Sequence, residues 1–475
     1  MPCPRIPEPL AGGIRAGGGR PAAAPAEDRH HECAQRTGEA SRAEHAGGEG
    51  HGRAARLRVL VLGAGLIGSA LAKALALQGH DPLLVSRRPD ATAGTPGIDF
   101  GALPDDRALL DMLAGVDVLV NTVGIFREPA DQSFDAVHVK GPLALFDAAR
   151  RAGVRRIVQL SALGAAPASP LPYFSSKGRA ERLLREIGID HAIVRPSLVF
   201  APAGTSTRWF AQLASLPLLP LPGGGTQQVQ PLHLDDLVHA LVRLVEARSV
   251  PGSLDAVGPR PLPLHRYLDL FRRAMGVPGA SVPVPRAVAS LGAAALGKVS
   301  PALPVNADAL AMLDAGNTAD PAPFAQWLGR DARDPAAFVA GAADLRWPAL
   351  LGWSVPLMRL ALAAMWIATG IVSLWLYPRE ASLALLAEVG LRGALADAAL
   401  VTAALLDIAL GIGLLARRWR QPVYLGQLLL VLGYTAIITL WLPAQWLHPF
   451  GPVLKNLPLL AMILALWSLD RKPWT

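Results

Sequence analysis

The chain has 475 residues, of which 52% are hydrophobic and 17% are charged, and its formal net charge is +8. This length allows two or three domains, and the basic residues are scattered rather than clustered, so we expect no nucleic-acid partner. Both cysteines, Cys3 and Cys33, lie near the N-terminus, so we expect neither a disulfide nor thiol chemistry in the folded part.

Residues 1–55 consist largely of Ala, Gly, Pro, Arg and Glu and show no apolar periodicity. Such a segment cannot bury enough apolar surface to offset the chain entropy that is lost on ordering. We therefore predict a disordered extension over residues 1–55.

A glycine-rich turn follows the first apolar strand, Arg58 to Leu62, and leads into an Ala/Leu-rich helix. The spacing Gly-x-Gly-x-x-Gly in this context is typical of dinucleotide binding: the glycines allow a tight turn, a close approach to a pyrophosphate, and close packing of the helix. A glycine-rich structural turn is the alternative. The predicted cofactor-binding residues of this segment are Gly63, Gly65, Leu66, Ile67 and Gly68.

The second strand, Asp81 to Ser86, ends where such folds select the cofactor's ribose. An NAD site usually places Asp or Glu there, whereas this chain offers Arg87. Because arginine suits a 2′-phosphate, we predict a preference for NADP(H), with NAD(H) possible. The alternative is a solvated loop arginine.

Three further buried strands follow, beginning near Asp117, Arg156 and His191. They alternate with helical segments, which predicts a doubly wound parallel sheet. We expect Asn121 and Gly124, at the end of the first of these strands, to pass near the ribose and nicotinamide.

Tyr173 and Lys177 form a Tyr-x-x-x-Lys pair on a predicted helix, so both side chains share one face. A nearby ammonium favours the phenolate and would lower the tyrosine pKa, which suits a general acid/base. Ser161, at the end of a strand, could hold a substrate carbonyl. The alternative is a surface tyrosine packed on the aliphatic part of the lysine.

His233, Asp235 and Asp236 place three titratable groups in four residues. No further His, Cys or Asp cluster completes a metal site, so we expect a capped helix start and no metal.

Four apolar segments follow, Leu360–Tyr377, Ala398–Ala416, Pro422–Leu442 and Pro452–Leu469, which predict an all-α four-helix transmembrane domain. A buried soluble bundle is the alternative. Basic residues follow the second and fourth segments, so by the positive-inside rule both the N-terminal domain and the C-terminus are cytoplasmic. The excess of Arg over Lys is typical of a bacterial gene, which places the protein in the inner membrane.

One acidic residue, Asp407, lies within these segments, and Asp397 lies immediately before the second of them. We expect Asp397 to pair with Lys455 across two helices. Asp407 lies near mid-span, with Tyr434 as its possible hydrogen-bond partner.

From about Leu57 to Leu345 the chain resembles the short-chain dehydrogenase/reductase superfamily, of the extended or atypical type. The carrying segments are the glycine turn, the Tyr173–Lys177 pair, Arg195-Pro196, Gln230–Asp236 and Val257–Pro259. Within it, the branch that contains the nucleotide-binding accessory subunit of respiratory complex I is similar. The resemblance implies Tyr173 as general acid/base, Lys177 as its electrostatic partner and ribose ligand, and Ser161 as carbonyl binder. Extended members usually have Asn where this chain has His138.

From Pro356 onward the chain resembles the DoxX-like four-helix membrane family, through Thr369–Trp375, Leu406–Gly411 and His448–Pro458. We predict a nucleotide-binding domain with a small substrate lobe over residues 56–345 and the membrane domain over residues 350–475. The leading functional hypothesis is a membrane-tethered, NADP(H)-preferring oxidoreductase that acts on a lipophilic carbonyl or quinone-like substrate. The alternative is a non-catalytic NAD(P)H-binding sensor or assembly factor; in both cases the protein partner is unknown.

Overall fold

A six-stranded parallel sheet forms the centre of the N-terminal half in the computed structural model, which describes residues 56–89, 96–299, 307–449 and 451–471. The predicted extension over residues 1–55 lies outside the described residues. The strands are β1 (Arg58–Leu62), β2 (Asp81–Val85), β3 (Val118–Asn121), β4 (Arg156–Leu160), β5 (Asp190–Pro196) and β10 (Ser253–Ala256). Their order is β10-β5-β4-β3-β1-β2, and every neighbouring pair is parallel. The strand order reverses beside β1, so the carboxyl ends of β1 and β3 border the crevice where such sheets bind ligands.

Helices cover both faces of this sheet, because its strands are apolar on both sides. Val59 and Val61 pack towards one layer, whereas Leu60 and Leu62 pack towards the other. The first layer contains α1 (Leu66–Leu77) and α6 (Leu234–Glu246); the second contains α2 (Asp106–Leu113), α3 (Gly141–Arg151) and α4 (Pro172–Glu186). The predicted doubly wound α/β fold is therefore confirmed.

A smaller lobe is built from the segments between β5 and the membrane region. Its short strands pair as β6 (Val199–Phe200) with β9 (Leu232–His233), β7 (Leu218–Pro222) with β12 (Ala280–Val284), and β8 (Gln228–Val229) with β11 (Leu262–Pro263). Its helices are α5 (Thr205–Ala214), α7 (Leu264–Met275), α8 (Arg286–Val299), α9 (Ala307–Asp314) and α11 (Pro335–Ala340), whereas α10 (Ala322–Leu328) packs in the first layer on the six-stranded sheet. The apolar core around Phe271 continues to Ala349, so the lobe packs on the start of the next helix.

Three helices of the C-terminal part are long and apolar enough to cross a membrane, counting only the described residues. They are α12 (Arg346–Ile371, prolonged by a π-helical turn over Val372–Leu376), α14 (Ala394–Leu415) and α15 (Arg420–Trp441), with α13 (Arg379–Glu388) in the first loop. The fourth predicted segment forms α16 (Asn456–Leu469), which has 14 residues and is about 21 Å long. It starts later than predicted because Pro458, which has no N–H group, is tolerated only in the first turn of a helix.

Small residues bring α12 and α14 into close contact. A Cβ atom at Gly370 would lie 2.4 Å from the Ala404 carbonyl oxygen, and one at Gly411 would lie 2.8 Å from that of Ala363. Such close approach of backbones is how membrane helices gain packing energy. The predicted ion pair between Asp397 and Lys455 is wrong: Asp397 pairs with Arg379, at 2.6 Å, instead. Arg379 is closer in sequence and reaches Asp397 from the adjoining loop helix.

Candidate functional site

The glycine turn after β1 has the geometry that a dinucleotide requires. Gly63 has a φ of +97°, and a Cβ atom there would lie 2.8 Å from Thr122 Oγ1. A Cβ atom at Gly68 would lie 2.0 Å from the Gly63 carbonyl oxygen, so helix α1 can pack this closely only with glycine. At Gly65 a Cβ atom would meet nothing within 4 Å, which leaves open space in front of the helix.

The N-terminus of α1 faces this open space with its backbone donors free. Gly65 is the N-cap and offers no side chain, and the first turn contains no acidic residue. The N–H groups of Leu66, Ile67 and Gly68 therefore have neither an intrahelical partner nor a cap. Free N–H groups and the helix dipole make this end suited to a pyrophosphate.

A groove of about 300 Å³ lies over the carboxyl ends of β1, β2 and β3. It brings together four predicted cofactor residues: Gly63, Gly65, Arg87 and Gly124. The other residues that line it are Ala64, Val85, Ser86, Ile98, Phe100, Thr122, Val123, Gln132 and Val137. Its mixture of apolar walls and backbone amides is typical of nucleotide sites.

Arg87 lies on the groove, but it already has a partner. Its Nη1 is 3.2 Å from Oδ2 of Asp131, and the two side chains are 38% and 66% exposed. Exposed ion pairs are worth at most about 1 kcal/mol, so a phosphate can compete for the guanidinium. Sequence reasoning missed Asp131, and no local pattern marks it, because the two residues are 44 positions apart.

The side chain of Asn121, a predicted cofactor residue, is bonded inside the protein. The side chain is fully buried; Nδ2 donates to Gln159 Oε1 at 2.8 Å, and Oδ1 accepts from the Val123 N–H at 3.0 Å. Both ends of the amide are used inside the protein. Asn121 therefore shapes the loop that carries Val123 and Gly124 into the groove.

Tyr173 and Lys177 lie in the first turns of α4, as predicted. The Tyr173 ring packs among Phe126, Phe134 and His138, with centroid separations of 5.2, 6.1 and 5.7 Å. Lys177 Nζ donates to the carbonyl oxygens of Val123 and Leu160, at 3.3 and 3.2 Å. A Cβ atom at Gly124 would lie 2.9 Å from Lys177 Nζ, so the lysine reaches the groove wall.

Burial controls the protonation of this pair. It lowers the pKa of Lys177 to about 8, although the charge of Glu181 acts in the opposite direction. It raises the pKa of Tyr173 to about 12, whereas the sequence predicts a lowered pKa. The reason for the difference is that loss of hydration penalises the phenolate. At neutral pH, Tyr173 is a phenol that can donate a proton.

The hydroxyl of Ser161, the predicted carbonyl binder, is bonded to another protein side chain. Its Oγ is buried and donates to Glu181 Oε1 at 2.7 Å. Glu181 also accepts from Arg195 Nε at 2.8 Å and from Arg185 at 3.1 Å. Hydrogen bonds from Arg195 and Ser161 hold the pKa of Glu181 below its usual value despite burial. Ser161 is thus part of an internal ionic cluster.

His138 connects the loop after β3 to helix α4. Its Nε2 accepts from the Ile125 N–H at 3.0 Å, and its Nδ1 is 2.8 Å from Ser176 Oγ. Burial, helped by the charge of Lys177, lowers the pKa of His138 to about 2, so the ring is neutral. Because Nε2 is the acceptor, Nδ1 carries the proton and donates to Ser176 Oγ. The Ser176 hydroxyl in turn donates to the carbonyl oxygen of Tyr173. The ring fixes the position of Tyr173.

His233 caps helix α6, as predicted: its Nδ1 accepts from the Asp235 N–H at 3.1 Å. Asp236 is fully buried and bonds to Arg330 at 2.5 Å. In the described part of the chain, no group of three or more His, Cys, Asp or Glu residues could hold a metal ion.

Two family matches divide the chain in the same way as the fold. Residues 59–255 match the NAD dependent epimerase/dehydratase family, and residues 363–464 match the DoxX-like family. The chain joins an epimerase-type Rossmann domain to a DoxX-like domain. The first match runs from β1 to β10 and so covers the whole six-stranded sheet, and the second runs from α12 to α16. The NAD-dependent family supports a nicotinamide cofactor for the Rossmann domain.

The curated relatives include reductases and subunits of respiratory complex I. Ceramide reductase of Caulobacter vibrioides (strain NA1000 / CB15N) is 32% identical over 194 residues, which are 40% of this chain and 61% of that protein. The 3-diazoavenalumate denitrifying reductase of Streptomyces sp is 29% identical over 257 residues, 47% of this chain and 83% of that protein. The mitochondrial NADH-ubiquinone oxidoreductase 40 kDa subunit of Neurospora crassa is 28% identical over 145 residues, 30% and 38% of the two chains.

The Rossmann–DoxX chain therefore spans less than two thirds of the first and third of these relatives. Among solved structures, MoeE5 in complex with UDP-glucose and NAD is 22% identical and covers 62% of this chain and 99% of that chain, with a TM-score of 0.47. The expected likeness to the complex I subunit is confirmed by the Neurospora relative.

Proposed function

We propose that this protein is a membrane-tethered, NADP(H)-preferring oxidoreductase that acts on a lipophilic carbonyl or quinone-like substrate. The observation that carries the proposal is the contact between Lys177 and the groove wall at Gly124. It supports a site in which the Tyr173–Lys177 pair acts beside a nicotinamide cofactor bound in the groove.

Each residue of this site has a proposed role in cofactor binding or proton transfer. The glycine turn and the free N–H groups of α1 would hold the pyrophosphate, and Arg87 would bind a 2′-phosphate. A bound nicotinamide supplies the hydride. The protonated phenol of Tyr173 would donate a proton to the substrate oxygen, and the ammonium of Lys177 would bind the ribose and stabilise the phenolate that is left.

The membrane domain supports a lipophilic substrate. One relative is named a ceramide reductase, and a substrate of that kind concentrates in the bilayer beside the Rossmann domain. Arg417, Arg418 and Arg420 follow the second span, so we place the Rossmann domain and the C-terminus in the cytoplasm of a bacterium, at its inner membrane. Cellular NADPH is then accessible to the groove.

A second candidate is a non-catalytic NAD(P)H-binding sensor or assembly factor. It is favoured by the position of Ser161, since the expected carbonyl binder is occupied by Glu181. In that case the groove would still bind the cofactor, and the membrane helices would contact a partner protein.

The test uses the full chain in lipid nanodiscs. NADPH and NADH are titrated by nicotinamide fluorescence, and NADPH oxidation is then followed with lipophilic aldehydes, ketones and quinones. We expect tighter binding of NADPH, turnover of at least one substrate, and loss of turnover without loss of binding in Tyr173→Phe. Cofactor binding without turnover would favour the second candidate; unchanged turnover in Tyr173→Phe would overturn the assignment of Tyr173.

A further inference from the structure

Three polar side chains in the membrane bundle are more than nine-tenths buried and have atoms without a hydrogen-bond partner among the described residues. They are Nε1 of Trp366 on α12, Oδ1 of Asp407 on α14, and both Nε2 and Oε1 of Gln427 on α15. The three residues are only 4%, 5% and 0% exposed. Asp407 also lacks the predicted hydrogen bond with Tyr434, which lies about a turn and a half farther along the bundle. Unpaired polar atoms are costly in any protein interior, and more so inside a bilayer.

The three side chains lie on the buried faces of their helices. On α15, Tyr424, Gln427, Leu428 and Val431 are all buried, which is the i, i+3, i+4, i+7 spacing of a single face. Trp366 shares its face with Ala363 and Gly370, and Asp407 shares its face with Ala404 and Gly411, through which α12 and α14 touch. All three side chains therefore belong to the interior of the bundle.

Contacts between the helices show that the three residues are also at the same depth. Gly370 of α12 contacts Ala404 of α14, and Gly411 of α14 contacts Ala363 of α12. Because the two helices are antiparallel, these contacts place Trp366 opposite residue 408 of α14. Gly413 meets Val423 and Gly426 meets Leu410, so Gln427 lies opposite residue 409. With a rise of 1.5 Å per residue, Trp366, Asp407 and Gln427 lie within about 3 Å of one level along the bundle axis.

From this arrangement we infer a binding site inside the bundle for the hydroxyl headgroup of a lipophilic molecule. Trp366 and Gln427 offer N–H donors, and Gln427 and Asp407 offer oxygen acceptors, so the complementary group both accepts and donates. A neutral hydroxyl does so. At the same level the fourth helix contributes the apolar Ile463 and Leu466, which suit a hydrocarbon chain.

Water carries the same chemistry, but its access from the side of the Rossmann domain is restricted. There, Arg359 Nη2 bonds to Asp470 Oδ1 at 2.7 Å, and the Tyr424 hydroxyl donates to Asp470 Oδ2 at 2.8 Å. This ionic contact joins α12, α15 and the end of α16. On the other side, α16 begins only at the level of Thr435, to which Asn456 donates at 2.8 Å. Before α16 the described residues form only a 3₁₀ turn, Pro443–Leu447, so beyond that level no described α-helix closes this side, and an apolar chain can leave the bundle there towards lipid.

The experiment labels the full chain in nanodiscs with two photoreactive probes, a diazirine-bearing hexadecanol and a diazirine-bearing hexadecane. Mass spectrometry measures labelling of the peptides that carry Trp366, Asp407 and Gln427. We expect several-fold more labelling by the alcohol, suppressed by excess hexadecanol but not by excess hexadecane. Gln427→Leu should remove the difference between the probes, whereas Leu429→Ala, on the lipid-facing side of the same helix and 62% exposed, should preserve it.

Equal labelling by the two probes, or labelling by neither, would overturn the inference. In that case water alone would be the partner of the polar atoms of Trp366, Asp407 and Gln427. If Gln427→Leu does not fold, competition on the unmodified protein still decides the outcome. The site uses the proposed membrane placement but not turnover at Tyr173. Nicotinamide titration therefore reports failure of the proposed function separately from failure of this site.

Discussion

Arg87 Nη1 lies 3.2 Å from Asp131 Oδ2 at the edge of the nucleotide groove, so the residue expected to select the cofactor is held by a carboxylate. Arg87 lies just after β2 and Asp131 lies in the loop after β3, and both side chains remain solvent-accessible. A 2′-phosphate would have to compete with Asp131 for the guanidinium. If Arg87 binds a 2′-phosphate, as we propose, then Asp131 opposes that binding, and cofactor preference depends on both residues.

The first prediction concerns this pair. Arg87→Ala should weaken NADPH binding by about 10- to 100-fold, the value of one or two charge-assisted hydrogen bonds, and change NADH binding little. Asp131→Asn should strengthen NADPH binding, because it frees the guanidinium and removes a negative charge. Fluorescence titration of both cofactors measures these effects. Arg182→Ala, at an exposed i, i+4 pair with Glu186, serves as the control and should leave both affinities unchanged.

The local part of this site could be predicted from the sequence. The strand, the glycine turn and the helix form one contiguous segment, so the spacing in this context predicts roles for Gly63, Gly65 and Gly68. The Tyr173–Lys177 helix is equally local. The start of α16 could also have been predicted, since Pro458 restricts where that helix begins.

The partners of these residues could not be predicted in the same way. Asp131 and Glu181 reach Arg87 and Ser161 only after the sheet has assembled, across 44 and 20 positions of sequence. Burial also decides the direction of the Tyr173 pKa, and burial is a property of the packed structure. A pattern of residue types shows which groups are available, whereas the fold determines which of them are already occupied.

The second prediction follows from the pKa of Lys177, which burial lowers to about 8. Below that pH the side chain is a cation, and above it the charge is lost, while Tyr173 stays protonated because its pKa is about 12. For reduction of the substrate, kcat/KM should therefore fall as pH rises through about 8. Lys177→Arg should move this fall to higher pH, since a guanidinium keeps its charge. A profile that is flat up to pH 10 in the unmodified protein would contradict this role for Lys177.

The third prediction separates two roles for Ser161. If Ser161 holds the substrate carbonyl, Ser161→Ala should lower kcat strongly. The structure instead has its hydroxyl bonded to the buried carboxylate of Glu181. We expect Ser161→Ala to lower the free energy of unfolding by about 1.5–3 kcal/mol, the range for hydrogen bonds to charged groups, with kcat changed less than about 3-fold. Thermal unfolding and turnover, measured on the same preparation, distinguish the two roles.

Glu181→Gln provides the matched comparison for that experiment. It removes the nearer anionic partner of Arg195, which keeps Asp255, with Oδ1 3.7 Å from Nη1, and breaking a buried ion pair costs up to about 3–5 kcal/mol. We expect a larger loss of stability than for Ser161→Ala, again without a specific loss of cofactor affinity in the fraction that remains folded. A large fall in kcat with normal stability in Ser161→Ala would restore the catalytic role.

The last prediction uses the difference between two glycines of the same turn. A Cβ atom at Gly68 would lie 2.0 Å from the Gly63 carbonyl oxygen, whereas one at Gly65 would meet no protein atom within 4 Å. Gly68→Ala should therefore destabilise the Rossmann domain. Gly65→Ala should fold with nearly unchanged stability, because its backbone conformation is open to any residue. Its methyl group would instead occupy the space where a pyrophosphate must approach the α1 N-terminus. We expect Gly65→Ala to weaken both NADPH and NADH at least 10-fold, measured beside the melting temperature; normal binding of both cofactors would mean that the phosphates do not lie over this helix.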